Sequence, residues 1–233
     1  MQVVVNHLTR MSAPRICVAG LDVDGARHVR PITRRADPLT RDHLTSAGGP
    51  FDLGAVIDLG RVKPNPDPPE TEDHWFSPAG ARRVSRLDPD EYLELLEDRC
   101  HDDLEAIFGP ALHRTDWSYA VDPGEGDASL GCLRVRRRPD LDINKYGKLR
   151  LRLNDPEKPA FLPVTDLRLV EPDHKTLCVD AINDARERMR RGVRARLMLG
   201  LARAYQAGRD DRKRHWLQVN GLCFEDRPLG GRP

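Results

Sequence analysis

RICVAGLDVDGARHVRPIT, residues 15–33, decides how the rest of the chain is read. Two apolar-containing runs flank Asp24-Gly25, the dipeptide that most readily supplies the positive φ of a tight turn, so the stretch predicts a β-hairpin. Its second arm carries Arg27, His28 and Arg30 just before Pro31. So many cationic groups beside a strand form either a solvated face or a surface for an anion, and the neighbouring sequence has to decide which.

Upstream, VVV at 3–5 is a β-branched run and predicts the first strand. Downstream, 34–50 reads as irregular. FDLGAVIDLGRV, 51–62, reads as a strand in which Gly54 or Gly60 marks a bulge or bend of the kind small closed barrels need. KPNPDPPETED, 63–73, is too proline-rich for a helix or a central strand. DPDEYLELLEDRC, 88–100, predicts a helix: Asp88 as N-cap, Pro89 in the first turn, Glu91 completing a capping box, and Tyr92, Leu95 and Leu96 on one face. LEAIFG extends the helical segment to Gly109. A second β-rich region opens at DWSYAVD, 116–122, and continues through CLRVRRR, 132–138, and FLPVTDLRLV, 161–170. Between these, KLRLRLND, 148–155, alternates Leu149, Leu151 and Leu153 with Lys148, Arg150 and Arg152, the pattern of a half-buried antiparallel strand with a cationic outer face. LCVDAINDARERMRRG, 177–192, predicts a helix ended by Gly192. RARLMLGLARAY, 194–205, fits helix or strand, and HWLQVNGLCFED, 215–226, predicts a strand–loop–strand hairpin. The order is β-rich, acidic helix, β-rich. Short strands with Gly/Pro turns point to barrels or sandwiches rather than a parallel α/β sheet.

The chain has 233 residues, 39% of them apolar and 32% charged, with a formal net charge of +1, which leaves room for one large or two small domains and excludes no partner. No signal peptide is visible, and no apolar run approaches the roughly 18 residues of a membrane span. The five cysteines are odd in number and contain no CxxC pair, which argues against a zinc ribbon; Cys17 and Cys132 read as small buried hydrophobes. These features predict a cytoplasmic, reduced protein with no membrane association.

Neither GxxxxGK[ST], GxGxxG after a strand, HExxH nor GxSxG occurs. PGEGDASLG, 123–131, has the glycines of a phosphate loop without its lysine and reads as a turn. His101 beside Asp102 and Asp103, and His74 beside Glu72 and Asp73, carry metal-ligand chemistry, but both lie in acidic stretches that read as solvated surface. The expectation is no metal, no cofactor and no catalysis. The cationic strands are the stronger signal: 134–152 holds Arg134, Arg136, Arg137, Arg138, Lys145, Lys148, Arg150 and Arg152 against Asp140 and Asp142, with Tyr146 among them. Cations that follow phosphates, with an aromatic to stack a base, are what single-strand-binding β-barrels use. A further arginine cluster, 186–196, reads as a solubilising helix face. The acidic segment 88–105 reads as a solvated face, or as the partner of a basic surface within the molecule or on another protein.

VVVNHLTRMSAPRICVAGLDVDGARHVRPIT resembles the opening of prokaryotic dual OB-containing domain proteins, through Thr9-Arg10-Met11, Ile16-Cys17-Val18-Ala19-Gly20 and Val29-Arg30-Pro31. GLAR at 200–203 and HWLQVNGL at 215–222 resemble its end. The resemblance implies two OB-type barrels and a nucleic-acid-linked role, carries over no catalytic residue, and favours the strand reading of 194–205. It also makes Arg10, Arg30, Arg203, Gln218 and Asn220 candidates for one polar surface. Trp216 alternates with Leu217, which predicts that one of the two is exposed.

The chain is therefore expected to be mainly β with α segments: two OB-like small β-barrels, 1–87 and 115–233, joined by an acidic helical connector, 88–114. The expected function is binding of single-stranded DNA or RNA through backbone phosphates. The expected contacts are Arg10, Arg27, Arg30, Arg134, Arg136, Lys145, Tyr146, Lys148, Arg150, Arg152, Arg203, Trp216, Gln218 and Asn220. The alternatives are a protein-interaction or sensor module that recruits a partner enzyme through 88–105, and a hydrolase in which His7, His28 or His74 converges with carboxylates.

Overall fold

The computed structural model describes residues 1–24, 27–34, 36–154, 158–207 and 211–230. The chain is mainly β, with curled sheets resembling half-barrels. The first sheet is built from β1 (Gln2–Arg10), β2 (Ile16–Asp22), β3 (His28–Ile32), β4 (Ala55–Asp58), β5 (Lys63–Pro64), β6 (Asp73–Trp75) and β7 (Arg82–Arg86), in the order β5-β6-β3-β2-β1-β4-β7. The opening hairpin is present: Gly20 of β2 lies opposite Val29 of β3, and Leu21 opposite His28. Gly25 of its turn lies outside the described residues.

The chain continues through α1 (Pro89–Glu97), β8 (Cys100–His101), α2 (Glu105–Phe108), β9 (His113–Arg114), β10 (Tyr119–Val121), β11 (Leu130–Arg134), β12 (Asp140–Ile143), β13 (Leu149–Leu153), β14 (Ala160–Pro163), α3 (Val179–Arg190), β15 (Ala195–Leu201), β16 (Tyr205–Gln206) and β17 (Lys213–Phe224). The second sheet runs β8-β11-β15-β17-β10-β9, with β16 also on β17, and β12-β13-β14 form a small third sheet. The ambiguous 194–205 stretch contains no helix and forms strand β15 over Ala195–Leu201. The predicted hairpin at 215–226 is instead one 12-residue strand, β17. Asn220-Gly221, read as a loop, is a bulge within it: Met198 of β15 pairs with Gly221 and Leu199 with Val219, which leaves Asn220 as the extra residue.

β1 carries a matching bulge. Val5 pairs with Gly20 and His7 with Ala19, so Asn6 is extra. The consequence is a change of parity. Val3 and Val5 enter the first core before the bulge, and Leu8 enters it afterwards. His7 and Thr9 are thereby turned to the opposite face of the sheet. In β17 Leu217 and Val219 enter the second core before the bulge, and Leu222 and Phe224 after it.

α1 forms as its sequence predicts. The Asp88 carboxylate accepts from the Asp90 and Glu91 amides at 2.9 Å, and Glu91 accepts from the Asp88 amide at 3.0 Å. Its apolar face places Tyr92 and Leu96, both fully buried, in a third core with Val4 and Val56 from the first sheet and Cys132, Met198 and Cys223 from the second. Burial of Leu96 alone contributes roughly 2 kcal/mol. Leu167 and Val170, which lie beyond β14, complete the core of the first sheet, so the two halves interlock. In α3, Ile182, Ala185 and Met189 face the second core, and the helix stops before Gly192 at φ 78°.

Cys132 does not behave as an isolated core residue. β8 runs parallel to β11, with Cys100 opposite Cys132, and a disulfide joins the two, in contrast to the expectation of a fully reduced chain. Cys17 and Cys223 are thiols. Among the described residues no helix is long and apolar enough to cross a membrane.

Candidate functional site

The two bulged strands meet at a cleft of about 440 Å³ between the sheets. Of the residues singled out from sequence, Arg10, Arg30, Arg203, Gln218 and Asn220 all line it. The first sheet adds His7 and Thr9 from β1, Cys17 from β2 and Trp75 from β6; Arg15 and Arg34 stand exposed at its edge.

The floor is a connected polar network. Gln218 Nε2 donates to Asn220 Oδ1 at 2.8 Å, and the Thr165 hydroxyl reaches the same oxygen at 3.2 Å. Asn220 Nδ2 lies 3.3 Å from His7 Nδ1, which ties β17 to β1. A Cβ on Gly200 of β15 would stand 2.1 Å from Asn220 Nδ2, so only glycine admits this amide. His7 is buried at 1% exposure, and burial, then His28 and Arg30, hold its pKa well below the ordinary histidine value, so the ring is neutral.

Arg30, 5% exposed, donates from Nε to Asp73 Oδ1 at 2.5 Å. Burial opposes its charge, but Asp73 more than restores it and the pKa is raised. Arg203 donates to the other Asp73 oxygen and lies 3.2 Å from Glu70. The cations of the floor are thus matched by carboxylates. Hydrogen-bonding capacity nevertheless remains: His7 Nε2, Thr9 Oγ1 and Arg30 Nη2 are buried and have no partner among the described residues.

The rim differs. Arg10 donates to the carbonyls of His174 and Val164 at 3.2 and 3.4 Å, and its Nε is buried without a partner. Among the described residues it has no carboxylate partner. Burial, then repulsion from Arg150, lowers its pKa. Arg150, on β13, does not line the cleft but lies close enough to repel Arg10; it is half-buried, has an unpartnered buried Nη1 and likewise forms no ion pair among the described residues. Burial lowers its pKa too, against the attraction of nearby Tyr205.

The other predicted contacts lie elsewhere. Arg27 borders a separate cavity of about 650 Å³ with His28, His74, Arg99 and His101. Lys145, Tyr146 and Lys148 occupy the exposed turn between β12 and β13, where the Lys145 ammonium sits 5.1 Å from the Tyr146 ring centre; Arg152 is exposed on β13. Arg134 and Arg136 are not an open basic face. Arg134 pairs with Glu97 at 2.7 Å and Asp102 at 2.9 Å, and Arg136 pairs with Asp102 at 2.8 Å. Arg196 also holds Glu97. The acidic segment 88–105 therefore spends Glu97 and Asp102 within the molecule. Trp216 and Leu217 are both buried, which corrects the expectation that one is exposed. Trp216 stacks on Trp117, with centroids 5.2 Å apart at 11°, and donates to the Tyr205 carbonyl. The aromatic at the cleft is Trp75, 37% exposed.

Sequence reasoning missed Thr9, Arg15, Arg34 and Trp75 as site residues and considered His7 only for acid–base chemistry. His7 touches His28 edge-on, with ring centres 5.6 Å apart. Asp73, next to His74 in sequence, is engaged by two arginines. Among the described residues no three His, Cys, Asp or Glu side chains are placed to hold a metal ion.

The sequence profile described as "Dual OB-containing domain" matches residues 1–222, and the chain belongs to that family. No curated protein and no solved structure matches it.

Proposed function

We propose that this protein is a nucleic-acid-binding module that holds single-stranded DNA or RNA through backbone phosphates and performs no catalysis of its own. Arg10 and Arg150 carry the proposal. Two half-buried guanidiniums that repel each other and have no carboxylate partner among the described residues are costly unless an anion joins them. A phosphodiester is such an anion, and guanidinium matches its geometry. Arg15 and Arg34 extend the positive rim, and Trp75 offers a face on which a base stacks.

The test is fluorescence anisotropy with labelled single-stranded DNA, single-stranded RNA and duplex at low and physiological salt. Single strands are expected to bind more tightly than duplex at physiological salt. Replacing Arg10 and Arg150 together by alanine is expected to reduce the log–log salt slope by about 1.4, the value for two phosphate contacts on a single strand. An unchanged slope and affinity in the double variant would overturn the proposal.

A further inference from the structure

The cleft separates two kinds of recognition, and this inference rests on the reading of its rim as a phosphate contact. At the rim Arg10, with Arg150 close beside it, is uncompensated. On the floor, Arg30 and Arg203 face Asp73 and Glu70, so charge is balanced. A phosphate moved to the floor would lose its hydration and meet no net positive charge. A neutral group with hydrogen-bond acceptors suits the floor better.

The polarity of the remaining donors is fixed by the network. Asn220 Oδ1 receives the Gln218 amide, and the Thr165 hydroxyl lies 3.2 Å from both that oxygen and the Val219 carbonyl, so the group turned to His7 is the amide nitrogen, which can only donate. His7 Nδ1 therefore accepts, and the neutral ring carries its proton on Nε2, the buried atom without a partner. Arg30 Nη2, also unpartnered, can only donate. The two belong to one locality, since His7 and Arg30 line the same cleft. The walls around them are apolar (Ile16, Leu39, Leu130, Leu201), and the volume suits one nucleotide rather than several.

We propose that the floor takes one guanine base, His7 and Arg30 donating to the adjacent acceptors O6 and N7. Guanine presents those two acceptors side by side with no donor between or beside them on that edge. Adenine puts an amino group in place of O6, so a donor would face a donor and leave buried groups unpaired. Both protein atoms are shielded from solvent in this conformation. A base reaches them by displacing long side chains at the mouth, a rotamer-level change common on binding.

The probe is a labelled oligo(dA) dodecamer, compared with dodecamers in which one central residue is dG, deoxyinosine, dC or dU. Deoxyinosine keeps O6 and N7 but lacks the 2-amino group. The dG and deoxyinosine strands are expected to bind roughly tenfold more tightly than oligo(dA), the scale of one bidentate base contact, and the dC and dU strands less so. His7→Phe is expected to bring the dG-to-dA ratio near one. If that variant fails to fold, nitrogen-15 NMR of the unmutated protein reads the same point: Nε2 protonated and Nδ1 bare supports the proposal, and Nδ1 protonated overturns it. Equal binding of all five strands, or an equal gain from dC or dU, overturns the guanine assignment and leaves the phosphate reading standing. Failure of every strand to bind at physiological salt overturns the phosphate reading, and the guanine assignment with it.

Discussion

Arg134 and Arg136, at and just past the end of β11, and Arg10 and Arg150, from β1 and β13, are pairs of the same residue type, yet their surroundings differ. The first pair sits in an open arginine run and is answered by Glu97 and Asp102. The second pair comes from strands far apart in sequence, is half-buried, and is answered by carbonyl groups or by nothing. A run of arginines therefore says little about a binding face until its counter-ions are known. Sparse arginines brought together without counter-ions say more.

The comparison can be broken most forcefully at the carboxylates. Asp73→Ala leaves Arg30 buried and unpaired and is expected to cost about 3–5 kcal/mol in urea unfolding. Asp102→Ala, at the exposed cluster, is expected to leave the urea midpoint close to that of the parent. A large loss from Asp102→Ala would erase the distinction. Next in size, reversing Arg10 and Arg150 together to Glu is expected to weaken single-strand binding roughly hundredfold at physiological salt. The matching reversal of Arg134 and Arg136 is expected to change it by no more than about twofold. If the two double variants weaken binding equally, the rim holds no privileged position.

A histidine that stays neutral sharpens the contrast by pH. Burial first, then His101 and Arg99, bring the His28 pKa down to about 4 from 6.5. The unfolded chain then binds the proton more readily than the folded one, so stability is full above the unfolded value and is lost as pH falls towards the folded value. Between about pH 6.5 and pH 4.5 His28 is expected to contribute about 2 kcal/mol of the loss, and His28→Gln is expected to make the fall shallower by that amount while the part due to His7 remains. An identical pH dependence of the urea midpoint in the parent and in His28→Gln over that window would show that His28 titrates as it does in the unfolded chain. The smallest effect concerns Gly200→Ala. The new methyl group displaces Asn220, and the expected readout is a changed His7 ring shift with the fold retained.

Much of this was legible from local chemistry. The opening hairpin, the capping box of α1, the alternation of β13 and the stop of α3 at Gly192 are short-range patterns, and all are present. Five site residues were named together because they fall in the motifs that carry the family resemblance. The rest depends on long-range placement. Trp216 and Leu217 are both buried because β17 is covered on both faces, and period-two alternation then carries no exposure signal. Asn220-Gly221 looks like a turn because bulges and turns use the same residues. The intramolecular pairing of the acidic helix with β11 depends on strand order. Trp75 reaches the cleft only through the parallel pairing of β6 with β3.

The paired bulges set a strict count on the two longest strands. Asn6 and Asn220 each add one residue that the partner strand does not match. Pairing Asn6 into the ladder would drive His7 and Thr9 into the position of apolar core residues and push Leu8 out, whereas deleting Asn6 would leave all three on their present faces. In evolutionary terms, the cleft is protected by reading length rather than by any one side chain. A substitution or a single-codon deletion at Asn6 can be absorbed, whereas a further deletion beyond it would turn the rest of the strand over.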